Sequence, residues 1–408
     1  MERSNRRLIV NNVNERIQSE TRHSSSFVLS IMLLIYMIAY TYIKLFTIGV
    51  NDTLGYYLPV GWLACIFLYL VYKLYIYNPN VSILKNDVFV ITLLLIYSAI
   101  WYVIKRSGLE RLLYVLVFLM SCVIYKRYPM QPYEKERVYY AFLFTIIALF
   151  FNASTLDSIS AEKLNPNTCG LLLMLLFSIS LLRYKNNRKA SSIIFLILSF
   201  IVQFVFGSRT ATAGAIMFAA LFFIFNRKKQ MFRSDMVFWL VIILSVMGIA
   251  FAYFYSNMLP KLLGGKDIVI FGKNIFTGRQ AVWRVTFETV IANFWFGAGS
   301  HMNEIYVEIY DNVTFLNAHN QPLGVLAVFG VVFYIIFYVA IARIVSMPCQ
   351  TSTKRIKRVS SMPVIFAVVL MMMDFFETNL FHSWSVMIIV AFGLVCSYYS
   401  NPNKEKAE

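Results

Sequence analysis

Charge is what this chain has little of. Only 14% of its 408 residues are Asp, Glu, Lys or Arg, where a water-soluble globule carries about 25%. The deficit is organised, because charges gather in short clusters between apolar runs of roughly 17 to 25 residues, the length of helix that crosses a hydrocarbon core. A helix satisfies its own backbone hydrogen bonds there, which an open strand or loop does not. Other absences narrow the class. The five cysteines, Cys65, Cys122, Cys169, Cys349 and Cys396, stand singly, with no spacing that suits zinc, redox chemistry or a disulfide framework. No repeat of about 20 to 50 residues occurs, and no inverted pair of broken helices of the kind transporters carry. The apolar run after the basic stretch 1–26 lacks a small-residue cleavage site, so it is expected to be retained as a first span. The net charge of +17 forms no continuous basic stripe interleaved with aromatics, which argues against nucleic acid as a partner.

What is present is an alternation. Apolar stretches expected as spans fall near 27–45, 57–77, 88–104, 109–125, 138–154, 167–183, 190–206, 210–225, 236–255, 321–345, 362–380 and 383–399. Lys and Arg then sort by side. Of the 37 basic residues, 26 fall in the two tails and the even-numbered connections, and 11 on the opposite face. The expected fold class is an all-α integral membrane protein of about twelve helices in a bacterial-type cytoplasmic membrane, with both termini cytoplasmic. The chain accordingly divides into a tail at 1–26, nine spans over 27–255, one large external loop at 256–320, three spans over 321–399 and a tail at 400–408. Within the loop, the pattern predicts a helix from Thr277 to Asn293, with Thr277 and Gln280 in capping-box positions. A structured loop of this size on one face of a bundle is usually functional. The cytoplasmic basic clusters orient the protein and attract anionic membrane lipid.

The few basic residues on the external side are not explained by that bias, so they are the candidates for chemistry. Arg209 lies in Gly207-Ser208-Arg209-Thr210, a connection of almost no length between spans seven and eight. Span eight runs inward from there, with Ser208 in the cap position. Free N–H groups, a positive helix end and a guanidinium would converge, which is how proteins hold phosphate; the plain alternative is an Arg reaching to lipid headgroups. His319 stands where the large loop enters span ten, with Asn320 or Gln321 as cap and Pro322 in the first turn. A neutral imidazole there is able to accept a proton from a hydroxyl. Asn165-Pro166-Asn167 repeats the design at span six. Arg279 and Arg284 share the loop helix, but five positions turn them about 140° apart, so both cannot face one cleft. Arg279 shares a face with Trp283, Thr286 and Val290 and has no acidic partner one turn on. Arg284 has Glu288 at i+4 and, although counted with the substrate-binding candidates, is expected to be mainly structural. Asp374, Glu377 and His382 flank the turn between the last two spans, and Asp374, the deepest, draws attention as an ionisable group inside a span. His301 follows a Gly-rich turn.

Taken together, Ser208-Arg209-Thr210-Ala211, Thr277-Gly278-Arg279 followed by Trp283, Phe296-Gly297-Ala298-Gly299, and His319-Asn320 followed by Gly330 resemble the motifs of the superfamily of O-antigen ligases and Wzy-type polysaccharide polymerases. The resemblance covers about residues 160 to 400; the first five spans match in hydropathy alone. It implies a GT-C-like membrane glycosyltransferase, without metal or cofactor, acting on the external face on glycans carried by undecaprenyl diphosphate. It further implies that Arg209 and Arg279 bind the diphosphate, with Arg284 and Asn320 as further substrate-binding candidates, and that His319 activates the acceptor hydroxyl. A flippase and a chain-length regulator are partners such an enzyme would have. The polymerase branch, in which the acceptor is another lipid-linked repeat unit, is favoured as the more numerous and divergent group. The ligase branch, transferring the glycan to a surface acceptor, stays open because His319-Asn320 resembles its pattern. A lipid-linked oligosaccharide flippase is the remoter alternative, since spans one to eight carry almost no charge at mid-depth.

Overall fold

The computed structural model of the chain describes residues 25–42, 52–76, 85–106, 108–156, 166–187, 190–206, 208–225, 230–262, 264, 269–270, 273–274, 279–299, 302, 305, 318–347, 358–378 and 384–399. Each apolar stretch read as a span falls on a helix. These are α1 (Ser25–Tyr42), then α2 (Asp52–Val71), α3 (Lys85–Lys105), α4 (Leu109–Arg127), α5 (Pro132–Leu156), α6 (Pro166–Asn187), α7 (Ala190–Phe206), α8 (Arg209–Phe225) and α9 (Ser234–Tyr253). A π-helical turn, Phe254–Met258, and the short α10 (Leu259–Leu262) continue α9. Next come α11 (Arg279–Ala292), α12 (Gln321–Val345), α13 (Ser361–Met373) and α14 (Ser385–Tyr399).

Five helical stretches, Ser25–Tyr42, Tyr57–Tyr75, Asn167–Asn186, Ser234–Leu262 and Gln321–Val345, are long and apolar enough to cross a membrane; the remaining apolar helices are shorter. The protein is thus an all-α membrane protein in its main architecture. The eleventh expected span is the one whose helix falls furthest short. Its helix ends at Met373, seven residues before the expected limit of 380. Asp374 is its C-cap, and Phe375, Phe376 and Glu377 wind on in a turn that bonds back to Met372 O and Met373 O. Asp374 therefore belongs to a helix end and not to the middle of a span, although it is 7% exposed.

The chain forms two compact units. One comprises 1–79, 120–206 and 386–408; the other comprises 80–119 and 207–385. In the first, α6 and α7 pack as an antiparallel pair and a buried Arg183 ties α5, α6, α7 and α14 together. Its donors are all used: Nε and Nη2 bond Glu136, Nη2 also bonds Tyr140 OH, and Nη1 bonds Ser191 Oγ and Ser192 Oγ. The Tyr139 ring lies 4.3 Å from the guanidinium carbon, and Tyr398 OH bonds the same Glu136 at 3.1 Å.

In the second unit α12 is the central element, packed on α9 and α3. Two short strands not anticipated from sequence, β1 (Gln230–Arg233) and β4 (Arg358–Ser360), pair antiparallel. They join the α8–α9 and α12–α13 connections, which the Lys and Arg bias assigns to one side. Strands β2 (Val269–Ile270) and β3 (Lys273–Asn274) form a small hairpin before α11.

Helix α12 is broken at Gly330, where φ is +81°, and the break explains two glycine-bearing motifs at once. The turn after α11 docks into it. Ala298 N bonds Ala327 O at 2.8 Å, Gly299 N bonds Val328 O at 3.0 Å, and Val331 N bonds Phe294 O at 2.9 Å. A side chain at Gly297 would strike Val328 O at 2.3 Å, and one at Gly330 would strike Trp295 O at 2.3 Å. From α3, Tyr97 OH bonds Trp295 O and Phe329 O, and Trp101 Nε1 bonds Phe296 O at 2.8 Å. Backbone groups freed by the break thus find partners inside the protein, as non-helical backbone within an apolar bundle requires. This clasp fixes the C-terminal end of α11 against α12, and with it the helix that carries Arg279.

Candidate functional site

The end of α11 that bears Arg279 is fixed by Trp283. The buried face of α11 is Val282, Trp283, Thr286, Thr289 and Val290, the face read from the periodicity. Trp283 is 0% exposed; its Nε1 donates to Ala318 O at 2.5 Å, and its ring meets Tyr255 edge-on at 5.1 Å. Arg279 lies one turn before Trp283 on that side, with its side chain 22% exposed. Arg284 is on the exposed face. Among the described residues Arg284 has no ion-pair partner, so the expected bond to Glu288 does not form; both side chains stand in solvent-exposed positions, where such a pair is worth a few tenths of a kcal/mol at about its best. Thr277 and Gly278 lie outside the described residues, so the expected cap is not part of this geometry.

His319 is held between two pinned neighbours. Ala318 accepts the bond from Trp283, and Asn320 caps α12. The Asn320 side chain is fully spent: Oδ1 accepts from Leu323 N at 2.9 Å, and Nδ2 donates to Gly248 O and Phe375 O, both at 3.0 Å. Gly248 permits this approach, since a Cβ there would lie 2.7 Å from Pro322 Cγ. Between these anchors His319 takes φ +46°, a left-handed conformation uncommon for a residue with a side chain. Such strain persists only where the surroundings over-determine it, and here both adjoining residues do.

Glu377 joins these pieces. Its Oε1 accepts from Arg279 Nη2 at 3.1 Å, and its Oε2 lies 3.3 Å from His319 Nδ1. One carboxylate from the turn after α13 therefore bridges an Arg from the large loop and a His from the start of α12. The Gln321 N–H also bonds Asp374 O at 2.8 Å, which fastens the same turn to the same helix start. Beneath lies an aromatic floor of Phe251, Tyr255, Trp283, Phe375 and Phe376.

Arg209 opens α8 and is exposed. Tyr255 sits in the π-helical turn after α9. The two helix starts near these residues differ. At α12, Asp374 O, Asn320 Oδ1 and Asn320 O take the N–H groups of Gln321, Leu323 and Gly324, so the backbone there has nothing left to offer an anion. At α8, among the described residues, Ser208 Oγ is buried and without a hydrogen-bond partner, Thr212 N bonds Ser208 O, and nothing caps the N–H groups of Arg209, Thr210 and Ala211. The expectation that a helix start would receive an anion thus fails at α12; at α6 it falls on Asn165, which lies outside the described residues, as do His301 and His382.

The sequence had marked Glu377 only as a flank of the last turn. The signal that might have raised it was the lack of any local acidic partner for Arg279, since a half-buried guanidinium needs one from somewhere.

These features define an integral membrane protein with a cation-rich polar site built from a large loop, a helix start and the last interhelical turn. Residues 194–338 match the O-antigen ligase family model, so over that stretch the chain is similar to the superfamily of O-antigen ligases and Wzy-type polymerases. The matched stretch holds Arg209, Arg279, His319, Asn320 and Gly330; Glu377 lies beyond it. The superfamily is one of membrane enzymes working on lipid-linked glycans. No curated protein and no solved structure matches the chain.

Proposed function

We propose that the protein is a polysaccharide polymerase, extending undecaprenyl-diphosphate-linked repeat units of an O-antigen or capsular glycan on the external face of the cytoplasmic membrane. The reading includes a twelve-span, GT-C-like bundle with both termini cytoplasmic and the 256–320 loop outside. The observation that carries it is the Glu377 carboxylate bonding both Arg279 and His319, with Arg209, Arg279 and His319 all inside the stretch that matches the family.

Arg209, the open start of α8 and Arg279 bind the donor's diphosphate by charge-assisted hydrogen bonds. The acceptor hydroxyl gives its proton to the His319 ring as its oxygen bonds to the anomeric carbon of the donor. The bond from that carbon to the diphosphate oxygen breaks, and the lipid diphosphate leaves with the electron pair, its charge met by the two guanidiniums. The imidazolium then returns its proton to water. No step uses a metal ion. Asn320 serves by holding His319 and α12 in place, and Arg284 stands apart from the chemistry.

A ligase would use the same donor half-reaction and differ in its acceptor. The family model's description and the His319-Asn320 pair favour that second reading. Purified protein in proteoliposomes, given a lipid-linked repeat unit alone, separates them: a polymerase builds a ladder of lengths, whereas a ligase leaves single units until a surface acceptor is added. His319→Ala should lower chain growth by about 10²- to 10⁴-fold, the worth of a general base, with donor binding nearly unchanged. EDTA should leave the wild type unaffected. Chain growth by His319→Ala at the wild-type rate would remove His319 from the mechanism.

A further inference from the structure

Glu377 is the acidic group that the reading above does not use, and its geometry is specific. A carboxylate only accepts hydrogen bonds, so its bond to His319 requires the proton on Nδ1 and leaves the imidazole lone pair on Nε2. That is the tautomer a base needs, fixed from behind by an orienting carboxylate. The same carboxylate is also bound by Arg279, at 3.1 Å. Among the described residues Arg279 makes no other hydrogen bond, and a guanidinium has five N–H donors. Glu377 therefore occupies the position on Arg279 that an anionic ligand would contest.

We propose that Glu377 is a positioning residue that couples donor binding to the strength of the base. The proposal rests on His319 being that base and on Arg279 binding the diphosphate. Without donor, Glu377 bonds both Arg279 and His319. A diphosphate carries more negative charge than one carboxylate and draws Arg279 to itself. Glu377 then keeps its bond to His319, where its charge stabilises the imidazolium that forms as the acceptor hydroxyl loses its proton. The base is strongest only when a donor is in place, and its proton is taken when there is an anomeric carbon to attack. Water and free acceptor meet a weaker base in the empty site.

The test is a split between turnover and donor affinity. Glu377→Gln keeps the shape and a hydrogen-bonding oxygen but removes the charge. Turnover at saturating donor should fall by about 10- to 100-fold, a part of what the base supplies. The donor KM should stay level or fall, because Arg279 loses a competitor. Glu377→Asp should recover most of the turnover. On a His319→Ala background Glu377→Gln should have no further effect on residual turnover, since there is no base left to assist. If Glu377→Gln lowers the amount of folded protein, Glu377→Asp decides: it must recover fold and turnover together. A raised donor KM with unchanged turnover in Glu377→Gln, or a folded Glu377→Asp without turnover, overturns the proposal. An inactive His319→Ala beside a fully active Glu377→Gln defeats this proposal alone. An active His319→Ala defeats the base assignment on which it stands.

Discussion

Two Arg–Glu pairs, one in each compact unit, use the same chemistry to different ends. Arg183 is 0% exposed, and every guanidinium N–H is directed at Glu136, Tyr140, Ser191 or Ser192. Arg279 is 22% exposed and, among the described residues, spends one bond, on a carboxylate that also holds His319. A buried charge must find all its partners within the fold, because an unsatisfied one costs several kcal/mol. A half-exposed charge can keep donors in reserve. The saturated cluster fastens four helix ends together; the unsaturated one is able to change partners. Saturation, more than the presence of a charged pair, separates structure from binding here.

Removing Arg183 should have the largest effect on the protein itself. Arg183→Met takes the guanidinium away from Glu136, whose side chain is 18% exposed, and should cost up to about 3–5 kcal/mol of stability, read as a fall in detergent melting temperature and in folded yield. Replacing Glu136 by Gln in the same chain should recover part of the loss, because the charge left behind is then gone. A lone Arg183→Met protein with wild-type melting would undo the contrast between the clusters.

Asn320 sharpens the comparison, because it lies beside His319 yet is saturated. Asn320→Ala loses a helix cap worth about 0.5–2 kcal/mol and leaves two buried carbonyls each short of a partner. Its signature should be lower folded yield and melting temperature, with donor affinity of the remaining protein unchanged. A protein of normal stability with weakened donor binding would make Asn320 a ligand residue instead.

Arg279→Ala should leave folded protein near normal and weaken the donor reaction by roughly 10- to 150-fold, the loss of about 1.5–3 kcal/mol for a hydrogen bond to a charged group. Arg284→Ala should change activity by less than about twofold, as for an exposed charge with little to hold. Equal losses for the two, at equal expression, would reject the division of α11 into a site face and a solvent face.

Much of the scaffold was readable because membrane helices are written locally. A run of apolar residues long enough to cross the hydrocarbon must be a helix to satisfy its backbone, so the helices α1 to α9 and α12 to α14 lie where hydropathy put them. The 3.6-residue period likewise put Trp283 and Arg279 on one face of α11 and Arg284 on another. The shortened α13 was not readable, since Phe375 and Phe376 extend the apolar run past the helix end while their backbone turns to meet α12. The break at Gly330 was legible only as a glycine in a motif. Its meaning required the Phe296–Gly299 turn and the Tyr97 and Trp101 donors, which come from far along the chain.

By itself, then, the sequence determined the helical membrane architecture, the residues that stand out as unexplained cations, and the glycine motifs that align with a family. The tertiary structure alone decided that Arg279 finds its acidic partner 98 positions away in Glu377 and that the same carboxylate reaches His319. It also decided that the N–H groups at the start of α12 are taken by Asp374 and Asn320. The reason is physical: helix formation and apolar burial depend on a residue and its neighbours within a few turns. A shared carboxylate depends on three chain segments arriving at one point, and no local pattern records that meeting.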